Sequence, residues 1–585
     1  MTKNKLIRLK RVLILSSVFL VLAVFVISCS KGVDDPVDPP GGGGGGGGNP
    51  NPVDPPVENT IGFFLDNWVP KNFTVPSYNE VAKPGANSSV FVTIDASKII
   101  TKVPSSIYGN NANLWMTQLV TETPLMNHLT NLKPNVIRFP GGSISDVFFW
   151  NALPNQKPAD APVNLVNDAG VSAPAGYWYG KNADSWTLSV DNYYNMLQTT
   201  GNQGMITVNY GYARYGTGTN PVAQAAHLAA DWVRYDNGRT KYWEIGNECN
   251  GVWEAGYRIN TADNKDGQPQ IVTGSLYGQH VKVFIDSMKK AAQEIGKTIF
   301  IGAYILEKQP EGWQTPTDQT WNNGVLNQVS NKPDYYVIHS YYTPYQTNAT
   351  ADVILATASD VTASMMSYTK SSITNTGSTV KPIALNEWNI TSQGSMQQVS
   401  FINGIHATIL LGESLKNKYG MTARWDLANG WSSGNDHGMF NNGDEPGVVK
   451  WNPRPAFYYM YYFQKMMGDR LLTTSTVGNV MAYASSFSSG EKGVILVNKT
   501  NSGETALVTL DKATAGSRYY WYTLTGGTDN GEFSRKVYVN GVGPTEPSGG
   551  PSSEYASLKT SSALTAGGIK VSLPARSVVY LVIDK

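Results

Sequence analysis

Short apolar runs recur along the middle of this chain, each followed by a longer segment. They are "NVIRFPGG" (Asn135 to Gly142), "MITVNYG" (Met205 to Gly211), "YWEIGNE" (ending at Glu248), "TIFIGAYI" (Thr298 to Ile305), "YYVIHSYY" (Tyr335 to Tyr342), "PIALNEWN" (Pro382 to Asn389) and "TARWDLAN" (Thr422 to Asn429). Each is rich in β-branched or aromatic residues and lacks polar alternation, the pattern of strands buried on both faces. Between them, "VDNYYNMLQTTG", "VAQAAHLAADWVRY", "LYGQHVKVFIDSMKKAAQEIG" and "MQQVSFINGIHATILLGESLKN" space their apolar residues as helices do, and the third stops at Gly296. Strands alternating with helices predict a parallel sheet with crossover connections. A weaker run, "SSIYGNNANLW" from Ser105 to Trp115, brings the count to eight. Residues 104–470 therefore read as a (β/α)8 TIM barrel of the α/β class. A doubly wound open sheet competes, but no G-x-G-x-x-G loop follows the first strand.

From residue 471 the texture changes to short alternating runs split by Gly, Ser and Thr, such as "ETALVTLD" and "SRYYWYTLTGG". Residues 471–585 read as an antiparallel β-sandwich. Within residues 59–103, "SVFVTIDAS" supplies it with a further strand. The chain opens differently. Lys3, Lys5, Arg8, Lys10 and Arg11 precede the apolar stretch Val12 to Ile27, as in a secretory leader over residues 1–29. That stretch is short of the ~20 residues a membrane span needs. Its end, "VISC", resembles a bacterial lipobox. The resemblance implies cleavage before Cys29, lipidation of its thiol, and export to the outer membrane or cell surface on a lipid anchor. Residues 30–58, with eight consecutive Gly flanked by Pro and Asp, form a tether that cannot bury a core.

Charge and histidine content narrow the chemistry. Lys+Arg 45 against Asp+Glu 44 leaves +1, which argues against nucleic acid as a partner. The six histidines form no H-x-x-x-H or H-x-H pair, so a zinc hydrolase is disfavoured and no metal or cofactor is expected. Cys249, left single when Cys29 carries lipid, reads as a small buried filler.

Two carboxylates remain. Glu248 closes the fourth strand of the count and Glu387 ends the seventh. A barrel opens all its C-terminal strand ends onto one face, so these acids meet across one pocket. Facing carboxylates are what glycoside hydrolysis requires. "YWEIGNE", "IHSYY", "LNEWN" and "IRFPGGSISDVFFW" together resemble the retaining glycoside hydrolases of clan A, most of all the α-L-arabinofuranosidases of family 51 and their relatives. That resemblance implies Glu387 as nucleophile, Glu248 as acid/base, and Asn247 bonded to the sugar hydroxyl next to the reacting carbon. It also implies that His339 positions the acid/base or a sugar hydroxyl. Arg138 is placed to hold Glu387 and lower its pKa, with Tyr341 donating to the same carboxylate. Trp388 and Trp425 are expected as sugar platforms, with Trp150 and Asn151 lining the pocket. Glu244 is expected inside the barrel, paired with Arg or Lys. The implied substrate is a plant or algal polysaccharide or its oligosaccharides. An endo-acting glycanase of the same clan and an inactive glycan-binding barrel are the alternatives.

Overall fold

The structure, a computed structural model, describes residues 52–585. The expected leader, Cys29 and the glycine run lie outside the described residues. Among those described, no helix is long and apolar enough to cross a membrane. Residues 52–58, read from composition as tether, lie against the folded unit. Asp54 pairs with Arg470 (2.6 Å) and Lys102 (3.1 Å), and Glu58 with Lys418 (2.7 Å). The Pro- and Asp-rich stretch buries no core, but its acids find cations.

Eight parallel strands close into a barrel: β1 (Gly109–Asn111), β2 (Val136–Phe139), β3 (Gln203–Val208), β4 (Tyr242–Ile245), β5 (Phe300–Tyr304), β6 (Tyr335–Tyr341), β7 (Ile383–Asn389) and β8 (Met421–Arg424). They are the eight runs read from the sequence. The weak first run yields only three strand residues, and β8 meets β1 through a single pair, Arg424 and Asn110. A helix follows every strand, beginning with Thr123–Asn131 after β1 and ending with Pro455–Met466 after β8. Side chains fix several helix starts. Thr315 and Asp318 form a reciprocal cap on Pro316–Val329, and Ser189, Thr273 and Thr350 cap Val190–Thr200, Gly274–Glu294 and Ala351–Asn375.

The remaining large sheet has eleven strands and takes in Val90–Lys102, which pairs antiparallel with Arg470–Val477 and parallel with Glu504–Asp511. The sandwich is thus antiparallel except where residues before the barrel join it. Its central strand Ser577–Ile583, "SVVYLVI", is apolar throughout because both faces are covered. Val579, Leu581 and Ile583 enter the sandwich's own core, while Val578, Tyr580 and Val582 join the barrel's hydrophobic core. Tyr580 donates to the Tyr459 carbonyl of the last barrel helix (2.9 Å).

Candidate active site

Arg138 of β2 is the hub. Its Nε donates to Glu244 Oε2 (2.7 Å), one Nη1 bond goes to Glu387 Oε2 (2.9 Å) and another to Asn111 Oδ1 (2.9 Å), and Nη2 reaches Asn247 Oδ1 (2.8 Å). A fully buried guanidinium with fixed acceptors on four residues imposes one geometry on the strands that carry them. Glu244, in the barrel interior, also accepts from Thr207 (2.8 Å) and Asn386 (3.0 Å). Burial alone would raise its carboxyl, but Arg138 and His339 pull it down to about 2.

Glu387, near the end of β7, has both oxygens occupied, since Tyr341 donates to Oε1 at 2.8 Å. His339 sits beside it across the β6–β7 pairing, just past a register shift between Ile338 and His339. His339 Nδ1 lies 3.0 Å from Glu248 Oε1 and its Nε2 3.5 Å from Glu244 Oε1. Burial would depress this imidazole. Glu387, Glu244 and Glu248 overcome that and push it up to about 10, so it stands as imidazolium between Glu244 and Glu387.

Glu248 lies three residues beyond β4, on a turn that reverses the chain. Gly246 has φ +71° and Glu248 itself φ +39°, a conformation that costs a non-glycine residue free energy. The Gly251 N–H closes the turn on the Glu248 carbonyl (2.6 Å). This bend carries the carboxylate over the barrel mouth, where oxygens of Glu248 and Glu387 and a ring nitrogen of His339 all lie within 4.8 Å of one another. The Trp253 indole N–H donates to Glu248 Oε2 (3.1 Å). A metal bound by this trio would stand beside the Arg138 guanidinium, which already holds Glu387, and would displace the His339 contact with Glu248.

No protein-family model and no curated sequence matches the chain. Solved structures do. The α-L-arabinofuranosidase of Thermotoga maritima, in an arabinose complex, is similar over 85% of this chain and 100% of its own, with TM-score 0.58 and 15% identity. The family 51 enzyme of Thermotoga petrophila RKU-1 gives TM-score 0.59 at 15% identity over the same shares. A family 44 xyloglucanase of Paenibacillus polymyxa gives 0.55 at 12%, again over 85% and 100%. The fold is that of the clan A glycoside hydrolases, close to family 51.

Within this barrel, six expected site residues converge: Glu248, Glu387, Asn247, Arg138, His339 and Tyr341. Trp425, just past β8, also lies at the mouth. Its ring covers the Gly141–Gly142 turn, where an added Cβ at Gly142 would sit 2.6 Å from the ring. The other three do not converge. Trp388 is fully buried, because as the residue after Glu387 it points to the opposite side of the strand. Trp150 stacks on Trp232 at 5.6 Å and donates to the Leu228 carbonyl, so it packs the helix that follows β3. Asn151 is exposed on the next turn. The electrostatics of Glu387 also differ from expectation. Burial, with Glu248 adding to it, raises its carboxyl, and Arg138, His339 and Tyr341 only limit the rise.

Sequence reasoning missed a pair of buried acids behind Asn247. Glu254 Oε1 accepts from Asn247 Nδ2 (2.9 Å) and Ser143 Oγ (2.7 Å). Asp146 accepts backbone N–H bonds from Tyr210, Gly211 and Asn247. Burial pushes Asp146 up to about 7, and burial with Asp146 and Glu248 nearby pushes Glu254 well above the carboxylate range. A carboxyl raised on folding stabilises fully below its unfolded pKa and loses that contribution as pH climbs toward the folded value. Glu254→Gln keeps the Oε1 acceptor and removes the titration. Its stability should therefore gain on the wild type as pH rises above about 4.5, by up to about 1.4 kcal/mol per pH unit. Parallel melting curves across that range test this; a constant offset rejects it.

Proposed function

We propose that this protein is a retaining glycoside hydrolase acting on a plant or algal polysaccharide or its oligosaccharides, α-L-arabinofuranosidase-like in specificity. The observation that carries the reading is the close approach of Glu248 and Glu387. Retaining enzymes hold their carboxyls about 5–5.5 Å apart, whereas inverting ones leave roughly 6.5–9.5 Å for a water between them. In the first step Glu387 attacks the anomeric carbon while Glu248 gives its proton to the departing oxygen. A covalent glycosyl ester forms and the aglycone leaves as an alcohol. In the second, Glu248 takes a proton from water, the water oxygen attacks the same carbon, and Glu387 departs as carboxylate. Asn247, held through Oδ1 by Arg138, keeps an amide N–H for the neighbouring sugar hydroxyl. The sequence of the first residues supports an exported, lipid-anchored enzyme working on polymer outside the cell.

Glu248→Ala should slow natural glycosides by about 10²- to 10⁴-fold while aryl glycosides with acidic leaving groups keep much of their rate, since they need no proton. Following the first-formed product by NMR should show the anomer of the substrate; the opposite anomer refutes the mechanism. The endo-acting reading draws support from exposed aromatics on the barrel face, and sizing the products from arabinan, arabinoxylan and β-glucan separates it from exo action.

A further inference from the structure

Among the described residues the three most exposed aromatic side chains are Trp313 (84%), Tyr345 (79%) and Trp253 (64%). They stand on the loops after β5, β6 and β4, three strands that are neighbours in the barrel, at the end where Glu248 and Glu387 meet. Such rings left in water forgo the burial that large apolar faces normally find. None of the three is on a slack segment. Trp253 lies over Gly251, where an added Cβ would be 2.5 Å from the indole, and its N–H holds Glu248. Trp313 sits in a turn closed by the Gln314 N–H to the Glu311 carbonyl (2.9 Å) and the Glu311 N–H to Gln314 Oε1 (2.7 Å), just before the capped start of Pro316–Val329. Tyr345 follows Pro344, whose carbonyl accepts from the Thr347 N–H (3.2 Å), Thr347 Oγ1 (2.9 Å) and Thr391 Oγ1 (2.8 Å).

We propose that Trp313 and Tyr345 extend the site into an aromatic track that binds a neutral polysaccharide chain on its leaving-group side. The inference rests on the reading of Glu248 as acid/base. Because that acid protonates the departing oxygen, Trp253 marks the leaving-group side, and the two further rings continue it over the adjoining loops. Sugar rings present flat C–H faces to aromatic planes, and stacking of this kind needs no charge. Charge fits a neutral chain. Residues 342–350 carry no ionisable group but tyrosine, and residues 305–315 carry Glu307, Lys308 and Glu311, so a polyuronate meets no cluster of cations.

The full-length protein and its Trp313→Ala, Tyr345→Ala and doubly substituted forms would be assayed on soluble arabinoxylan and on an aryl arabinofuranoside. The double variant should lower the ratio of kcat/KM on polymer to that on aryl glycoside at least about tenfold. Val477→Ala, an exposed change in the sandwich, should leave the ratio unchanged. In the Glu387→Gln background, arabinoxylan should retard the protein in affinity electrophoresis and polygalacturonate should not, with the retardation lost in the double variant. An unchanged ratio with active enzyme overturns the track alone, and equal retention by polygalacturonate overturns its neutral ligand. Hydrolysis of no glycoside, aryl or polymeric, overturns the underlying reading and the track with it.

Discussion

Glu387→Gln should abolish turnover, by on the order of 10⁴-fold or more, on natural and activated substrates alike. The amide cannot form the glycosyl ester, so a good leaving group gives no relief. This separates the variant from Glu248→Ala, whose loss depends on the leaving group. The amide replaces one oxygen at a position where Tyr341 donates to Oε1 and Arg138 to Oε2. Its remaining oxygen can keep one donor, and Arg138 keeps Glu244, at 2.7 Å, as its anionic partner. The fold should therefore survive, and circular dichroism and melting should stay close to wild type. Burst kinetics on a dinitrophenyl glycoside give the sharper check. The wild type should release a stoichiometric burst when ester hydrolysis is slow, and the variant none. Turnover within tenfold of wild type in a pure preparation would remove Glu387 from the chemistry.

The barrel was legible because its strands are apolar on both faces, so their runs stand out without periodicity analysis. Most helices that were read from the sequence carry one polar face, although Phe401–Lys416 was read while buried on all sides. Pro455–Met466, "PAFYYMYYFQKM", escaped because it is apolar nearly all round and its clustered aromatics favour strands as much as helices. Ala351–Asn375 escaped because Ser and Thr interrupt its apolar stripe. In the site, strand parity placed His339 with Tyr341 and Glu244 inside the barrel. The same rule, applied to Trp388 beside Glu387, excludes it from the pocket; sugar-binding aromatics cannot be chosen by residue type alone. Glu254 comes from a loop and Asp146 from a single short 3₁₀ turn, Ser143–Val147, where no periodicity says which side chain turns inward. The available signal was an acid set among aromatic and small residues, in "VWEAGY" and "SISDVFFW".

Replacing Arg138 should be the most damaging single change to the molecule. Arg138→Met keeps much of the side chain's volume but removes the cation that Glu244 and Glu387 share, and it strips Asn111 and Asn247 of their donor. Breaking a buried pair by removing one partner costs about 3–5 kcal/mol, because the other charge stays buried and unpaired. Here two carboxylates lose it. His339 then remains the one cation beside Glu244 and Glu387, so the cost at neutral pH should reach at least the upper end of that range. The sign with pH follows from Glu244, which Arg138 and His339 hold down to about 2. A carboxyl depressed on folding stabilises above its unfolded pKa and loses that contribution as pH falls through the folded value. The variant forgoes much of that stabilisation, so its deficit against wild type should be largest near neutrality and shrink below about pH 4. Arg138→Lys separates charge from geometry. One ammonium can neutralise Glu244 or reach Glu387, but it cannot span both and Asn247. It should recover part of the melting temperature while activity stays depressed. Chemical denaturation at pH 3.5 and pH 7, with activity measured on the same samples, tests the pair. Equal deficits at both pH values, or full activity in the lysine variant, would show that the guanidinium neither anchors Glu244 nor aligns the nucleophile.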